Sequence, residues 1–134
     1  MFADPIIISP GSIIAFYIVV GTALIVETGI VSSLLAFFRG VAPLNLFVGY
    51  LITNVSIYLL IFGPYVFVEP SHMLLKETLV VLLDGLAIKL LVGFSVFQGD
   101  NYHTVTWWLA LLISGIGNTV SYLIGEMANH RHSA

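Results

Sequence analysis

The chain has 134 residues, of which 59% are hydrophobic and only 8% are charged, and its net charge is −3. A soluble domain usually carries about a quarter charged residues, so this composition leaves too few polar side chains to cover a protein surface in water. The small net charge argues against a nucleic-acid partner. The lack of cysteine excludes disulfides and thiol chemistry. We therefore predict an integral membrane protein whose first partner is the lipid bilayer.

Four apolar stretches follow one another along the chain, each close to the roughly 20 residues that a helix needs to cross a membrane. They predict an all-α four-helix bundle in a single transmembrane domain. The expected spans are residues 12–38, 43–68, 73–97 and 105–128, with short polar or interfacial tails at 1–11 and 129–134. Arg39-Gly40 is typical of a helix end and Pro43 of a helix start. Gly63-Pro64 is expected to kink the end of the second span.

Orientation depends on a small charge difference between the two sides. An even number of crossings places both termini on one side, together with the connection between spans two and three. Lys76 and Arg131 lie toward that side, whereas Arg39 lies in a loop on the other. Because basic residues are enriched in cytoplasmic loops, this pattern favours cytoplasmic termini by a margin of one charge. The expected location is a plasma or inner membrane.

The second and fourth spans contain similar segments. They read Asn54-Val55-Ser56-Ile57-Tyr58-Leu59 and Asn118-Thr119-Val120-Ser121-Tyr122-Leu123. Spans one and three are also alike, since Glu27 and Glu77 both precede a threonine and a short apolar run, with Asp84 as a rival counterpart of Glu27. A duplicated two-helix hairpin would explain both similarities, and its halves would run in parallel topology. Chance similarity is the alternative, because apolar spans use few residue types.

Several polar residues lie inside the predicted spans, where an ionisable side chain costs at least about 2.5 kcal/mol to insert. Such residues are expected to face protein or water. At a rise of about 1.5 Å per residue, Glu27 and Lys89 fall at matching depth on different helices and are expected to pair. A second level joins Asp84 to Asn54 or Asn118, whose amide groups can donate to its carboxylate. The predicted intramembrane polar layer is Glu27, Asn54, Asp84, Lys89 and Asn118.

Small residues recur at helical spacing in the last two spans, a pattern that lets helix backbones approach closely. They are Gly117, Ser121 and Gly125 in span four and Gly85 and Gly93 in span three. Contact within the chain and contact with another subunit are both compatible with this pattern.

The sequence contains no recognisable catalytic, cofactor-binding or metal-binding motif. Its histidines fall in loops, at span edges or in the tail, at His72, His103, His130 and His132. The spans therefore lack the axial ligands that a membrane haem requires. Patterns of metalloproteases, serine hydrolases and phosphate-binding loops are also missing. We expect neither an enzyme nor a cofactor.

Two functions fit these features. The first is an accessory or scaffold subunit of a larger membrane complex, whose partners are other membrane subunits. The second is a small homo-oligomeric ion or proton conductor, or a minimal transporter, that uses Glu27, Asp84 and Lys89. The sequence favours the first, because a counter-charge such as Lys89 would let the polar layer serve as contacts between helices.

Overall fold

The computed structural model describes residues 10–62 and 70–133, and this part of the chain is helical. Its four helices are α1 (Pro10–Arg39), α2 (Pro43–Phe62), α3 (Pro70–Leu91) and α4 (Trp107–Ser133), with a 3₁₀ turn at Ser95–Phe97. Each helix packs against the next, and α4 packs back against α1. The predicted all-α four-helix architecture is confirmed for the described residues.

Three of these helices are long and apolar enough to cross a membrane. The qualifying segments are Tyr17–Arg39, Pro43–Ile61 and Trp107–Met127. Helix α3 has a comparable length of 22 residues, but it differs in composition. It contains two acidic and two basic side chains, at Lys76, Glu77, Asp84 and Lys89. Whether α3 could also cross a membrane therefore depends on where these four side chains lie.

The largest differences between the helix boundaries and the predicted spans are in α3 and α4. Helix α3 begins at Pro70, where the missing N–H of proline leaves no helix hydrogen bond unmade, and it ends at Leu91 rather than at residue 97. Helix α4 continues through the expected polar tail to Ser133. The expected kink at Gly63-Pro64 lies outside the described residues, as does most of the N-terminal tail.

The α1–α2 and α3–α4 connections lie at the same end of the bundle and are hydrogen bonded to each other. Three backbone N–H groups donate across at 2.8–2.9 Å, from Ala42 to Phe97, from Gly99 to Gly40 and from His103 to Arg39. Gly40 has a φ of 70°, and a Cβ there would collide with the backbone of Asn101. Only glycine fits this position without strain. We call this end the closed end.

The apolar core lies directly beneath the closed end. It contains Val31, Leu35, Val41, Leu46, Tyr50, Ile88, Val92, Val105, Ala110 and Ile113. The segment after α3 folds over this core. The ring of Phe97 packs so closely against Gly49 that a Cβ on this glycine would lie 2.7 Å from the ring. Asn45 Nδ2 also donates to the Val96 carbonyl at 2.8 Å. The residues expected to complete the third span therefore cover the end of the bundle instead.

Two of the five predicted small residues lie at close contacts between helices. A Cβ on Gly117 would lie 2.9 Å from Cγ of Glu27, and one on Gly85 would lie 2.7 Å from Cδ2 of Leu111. These positions bring α4 close to α1 and to α3, so contact within the chain accounts for them. The other three lie elsewhere: Gly93 follows the end of α3, while Ser121 and Gly125 line a cavity.

Candidate functional site

The interior of the bundle is polar at its middle, while its exterior is apolar. The buried polar side chains of the described residues are Glu27, Thr28, Ser32, Asn54, Asp84, Ser114 and Asn118. On the outside, Phe37, Leu44 and Trp108 are more than 80% exposed, at 82%, 81% and 84%. A soluble protein usually shows the opposite distribution, with its charged residues outside.

Glu27 of α1 is fully buried and receives two hydrogen bonds from α2. Its Oε2 atom accepts from Nδ2 of Asn54 at 2.9 Å and from the hydroxyl of Tyr50 at 3.2 Å. Tyr50 and Asn54 are neighbours on one face of α2 because residues four apart in a helix lie above one another. Helix α2 therefore directs two donors at the same carboxylate oxygen.

Asp84 of α3 is also fully buried and receives a hydrogen bond from α4. Its Oδ2 atom accepts from Nδ2 of Asn118 at 3.0 Å. The same amide group donates to the carbonyl oxygen of Ser114 at 2.9 Å, and the Ser114 hydroxyl donates to the carbonyl of Val81 at 2.7 Å. This network joins α3 to α4 around the carboxyl group of Asp84.

The two hairpins of the bundle repeat one arrangement. In each, an asparagine on the second helix donates to a carboxylate on the first, from Asn54 to Glu27 and from Asn118 to Asp84. The two asparagines also lie at the same distance along the chain from the starts of α2 and α4. Asp84, rather than Glu77, is therefore the counterpart of Glu27 in the polar layer. The duplication of the hairpin itself stays a prediction.

The carboxyl groups of Glu27 and Asp84 lie close enough to interact electrostatically, and the Tyr50 hydroxyl interacts with both. Each carboxyl group has one oxygen that accepts from an asparagine. Its second oxygen, Oε1 of Glu27 or Oδ1 of Asp84, has no hydrogen-bond donor among the described residues. Two ionised carboxylates this close repel strongly in a buried site. A proton on one carboxyl group can instead be donated to the other, so the pair is suited to hold a shared proton.

An open cavity reaches Glu27 of this pair. Glu27 and Asn54 lie at its inner end, and two further carboxylates, Glu77 of α3 and Glu126 of α4, also line it. Its lining residues lie on the side of the polar layer away from the closed end, where α2 ends and α3 begins. The cavity therefore lies in the half of the bundle away from the joined connections.

Lys89 does not belong to this layer, although the sequence predicted that it would pair with Glu27. It lies in the last turn of α3, where its Nζ donates to the carbonyl of Val105 at 2.6 Å and lies 5.8 Å from the ring centroid of Trp107. The predicted depth was wrong because α3 ends well before residue 97, which places Lys89 beside the closed end. Glu27 instead lies next to Asp84.

The sequence prediction missed two members of the layer, Tyr50 and Ser114. Each lies one helical turn before an asparagine, and each takes part in the hydrogen bonds around a buried carboxyl group. The four-residue spacing to Asn54 and to Asn118 was a signal that could have identified both. The hydroxyl of Ser121 also lies near the Glu27 carboxyl group, although the sequence suggested only a packing role for it.

Comparison with known proteins finds no protein-family model, curated protein or solved structure that matches this chain. Within residues 10–62 and 70–133, no group of three or more His, Cys, Asp or Glu side chains is arranged to hold a metal ion. The function is therefore inferred from the carboxyl pair, its hydrogen bonds and the cavity.

Proposed function

We propose that this protein is an integral membrane protein that moves protons through the Glu27–Asp84 pair, as a small proton conductor or proton-coupled carrier. One observation carries the proposal. Two neighbouring, fully buried carboxyl groups lie in the middle of a bundle whose exterior is apolar, and one of them, Glu27, lines an open cavity. Carboxyl groups in such positions are typical of proton relays in pumps and transporters.

The membrane location is supported by where the charges of α3 lie. Asp84 is buried between helices, and Glu77 lines the cavity. Both lysines donate a hydrogen bond to a backbone carbonyl, Lys76 to that of Ile61 at 3.3 Å and Lys89 to that of Val105 at 2.6 Å. The outer positions of α3 carry leucines instead, among them Leu75, Leu79, Leu82, Leu86 and Leu90. With this arrangement, α3 meets lipid as an apolar helix and can cross the bilayer beside the other three.

The depth of the pair supports a role in translocation. At a rise of about 1.5 Å per residue, Asn54 and Asn118 lie about 16 Å from the starts of their helices. That is near the middle of a hydrocarbon layer about 30 Å thick. The cavity gives access from one side, while the apolar core separates the pair from the closed end. Proton transfer to the other side therefore requires this core to rearrange.

A purely structural role fits the layer less well, although an accessory or scaffold subunit stays a prediction for this chain. Contacts that only join helices would satisfy their polar atoms, because an unmade buried hydrogen bond costs about 1–3 kcal/mol. Three acceptors of the layer have no donor among the described residues: Oε1 of Glu27, Oδ1 of Asp84 and Oδ1 of Asn54. Unpaired acceptors in a buried polar layer that a cavity reaches favour a site that takes up protons.

Proton flux in liposomes tests the proposal. Purified protein is reconstituted with a pH-sensitive dye inside, and a potassium gradient with valinomycin drives proton entry. We expect wild type to acidify the interior and the double variant Glu27→Gln/Asp84→Asn to fall to the rate of empty liposomes. Asp100→Asn removes a carboxylate from an exposed loop position and is expected to retain the flux. Equal flux from wild type and the double variant would contradict the proposal.

A further inference from the structure

We propose that the open cavity binds an organic monocation, an amine or quaternary ammonium ion with an apolar substituent, in competition with the proton of the Glu27–Asp84 pair. The inference rests on the proposed function, because it requires the pair to bind and release a proton. It adds the chemical class of the ligand that the protein exchanges for that proton.

The charge of the cavity selects cations. Three carboxylate side chains line it, from Glu27, Glu77 and Glu126, and no lysine, arginine or histidine is among its described lining residues. The two lysines of α3 are directed elsewhere, Lys76 to the carbonyl of Ile61 and Lys89 to the closed end. Among the described lining residues an anion would meet charged groups of its own sign, whereas a cation gains electrostatic attraction as it moves inward.

The walls of the cavity select an organic ligand. Aliphatic side chains form much of its wall, including Val19, Leu24 and Val80, and Tyr58 and Tyr122 add two aromatic rings. Apolar walls contribute by burying hydrocarbon, and aromatic rings attract ammonium groups. An inorganic ion keeps its water and would gain little from such walls.

Two residues that line the cavity carry buried oxygen atoms to which an ammonium group can bind when the side chains shift to admit it. Glu27 Oε1 and Asn54 Oδ1 belong to fully buried side chains that line the cavity, and neither atom has a donor among the described residues. An amine N–H can donate to either oxygen, and a quaternary ammonium ion can pair with the carboxylate without a hydrogen bond. The ligand head group therefore belongs beside these two oxygen atoms, with its apolar substituent toward Tyr58 and Tyr122.

Binding of the cation displaces a proton. When the pair shares one proton, it carries one negative charge. An entering ammonium ion brings a second positive charge, so the proton leaves to the solvent as the ammonium ion takes its place beside Glu27. The charge in the cavity is unchanged, because one cation enters for each proton that leaves. Affinity is then expected to rise with pH wherever the pair holds its proton, by up to about tenfold per pH unit.

Calorimetric titration with benzyltrimethylammonium tests the inference. The full-length protein in detergent is titrated in two buffers of different ionisation enthalpy, which reports the protons released on binding. We expect release of about one proton per bound ion and tighter binding at higher pH. The neutral carbon isostere neopentylbenzene serves as the ligand control, and it is expected to release no proton.

Variants distinguish a loss of ligand binding from a loss of folding. Glu27→Gln is expected to weaken binding by more than about tenfold, which corresponds to 1.4 kcal/mol, and to abolish proton release. Glu77→Gln changes a wall residue outside the buried pair and is expected to weaken binding about threefold by reducing the local attraction. Asp100→Asn is the matched control and should bind like wild type. If Glu27→Gln does not fold, Glu77→Gln against Asp100→Asn still decides the question.

The possible outcomes are distinguishable from those of the flux experiment. Absence of binding, or binding that neither releases a proton nor weakens in Glu27→Gln and Glu77→Gln, would overturn the inference even where carboxylate-dependent proton flux is present. Proton-releasing binding in a protein without carboxylate-dependent flux would overturn the proposed function and leave the cation site standing.

Discussion

The two ends of the bundle use polar groups in opposite ways. At the closed end, the connections bind each other through backbone hydrogen bonds, and Lys89 binds the Val105 carbonyl. In the half that holds the cavity, Glu77 and Glu126 line an open space that reaches the buried Glu27, and Oε1 of Glu27 has no donor among the described residues. The comparison teaches that a charged side chain in an apolar helix indicates function only when some of its polar atoms lack hydrogen-bond partners. A charged side chain with its hydrogen bond made, such as Lys89, stabilises the structure.

The strongest test of this contrast acts on the closed end through Gly40. Gly40→Ala places a Cβ against the backbone of Asn101 at a positive φ of 70°. We expect a loss of stability of about 3 kcal/mol or more, because backbone strain adds to a collision that backbone atoms cannot relieve. Thermal unfolding in detergent, followed by circular dichroism, measures the loss.

Gly21→Ala is the matched control for Gly40→Ala. Gly21 lies within α1, and a Cβ there meets no atom within 4 Å. Alanine is favoured over glycine inside a helix by about 0.5–1 kcal/mol, so the control is expected to unfold at an unchanged or slightly higher temperature. Equal melting temperatures for the two variants would contradict the close fit of the two connections.

A second test acts on the boundary between the core and the polar layer. Gly117→Ala places a Cβ 2.9 Å from Glu27 Cγ and from Val31 Cγ2. We expect a loss of about 1–3 kcal/mol from overpacking and slower proton flux, because the Glu27 side chain has to move. Gly115→Ala, on the same helix with open space around its Cβ, should retain both stability and flux. Unchanged flux in Gly117→Ala would show that the position of Glu27 is not critical.

Lys89 separates structural from functional charge most directly. Lys89→Met keeps the length of the side chain but removes the hydrogen bond to Val105. We expect a loss of stability of about 1.5–3 kcal/mol, typical of a hydrogen bond to a charged group. Proton flux per folded molecule should be unchanged, since Lys89 lies outside the layer. A loss of flux comparable to that of the Glu27→Gln/Asp84→Asn variant would indicate that Lys89 takes part in proton transfer.

The smallest effect is expected at the cavity wall. Glu126→Gln removes a carboxylate that lines the cavity without changing the buried pair. We expect proton entry to slow by about twofold at low salt, and the difference to shrink at high ionic strength because surface charges are screened. Stability should be unchanged. A difference that persists in molar salt would indicate a role for Glu126 beyond attracting cations.

Part of the candidate site could be predicted from the sequence, because burial of polar groups follows from composition. A chain with so few charges can insert Glu27, Asp84, Asn54 and Asn118 into apolar helices only by turning them toward one another. The partners were harder to predict. Asp84 was expected to meet an asparagine and does, whereas Glu27 was expected to meet Lys89 and lies beside Asp84. The error came from the end of one helix, since Phe97 packs on Gly49 instead of extending α3.

By itself, the sequence determined the four helices, their order and which polar residues are buried between helices. These features follow from hydropathy and helix length along the chain. The tertiary structure alone decided which polar groups meet and which stay without a donor. Those features depend on where each helix stops and on its rotation against its neighbours, and both are set by contacts between residues distant in the chain. The same contacts close one end of the bundle with paired connections and leave an acidic cavity beside Glu27.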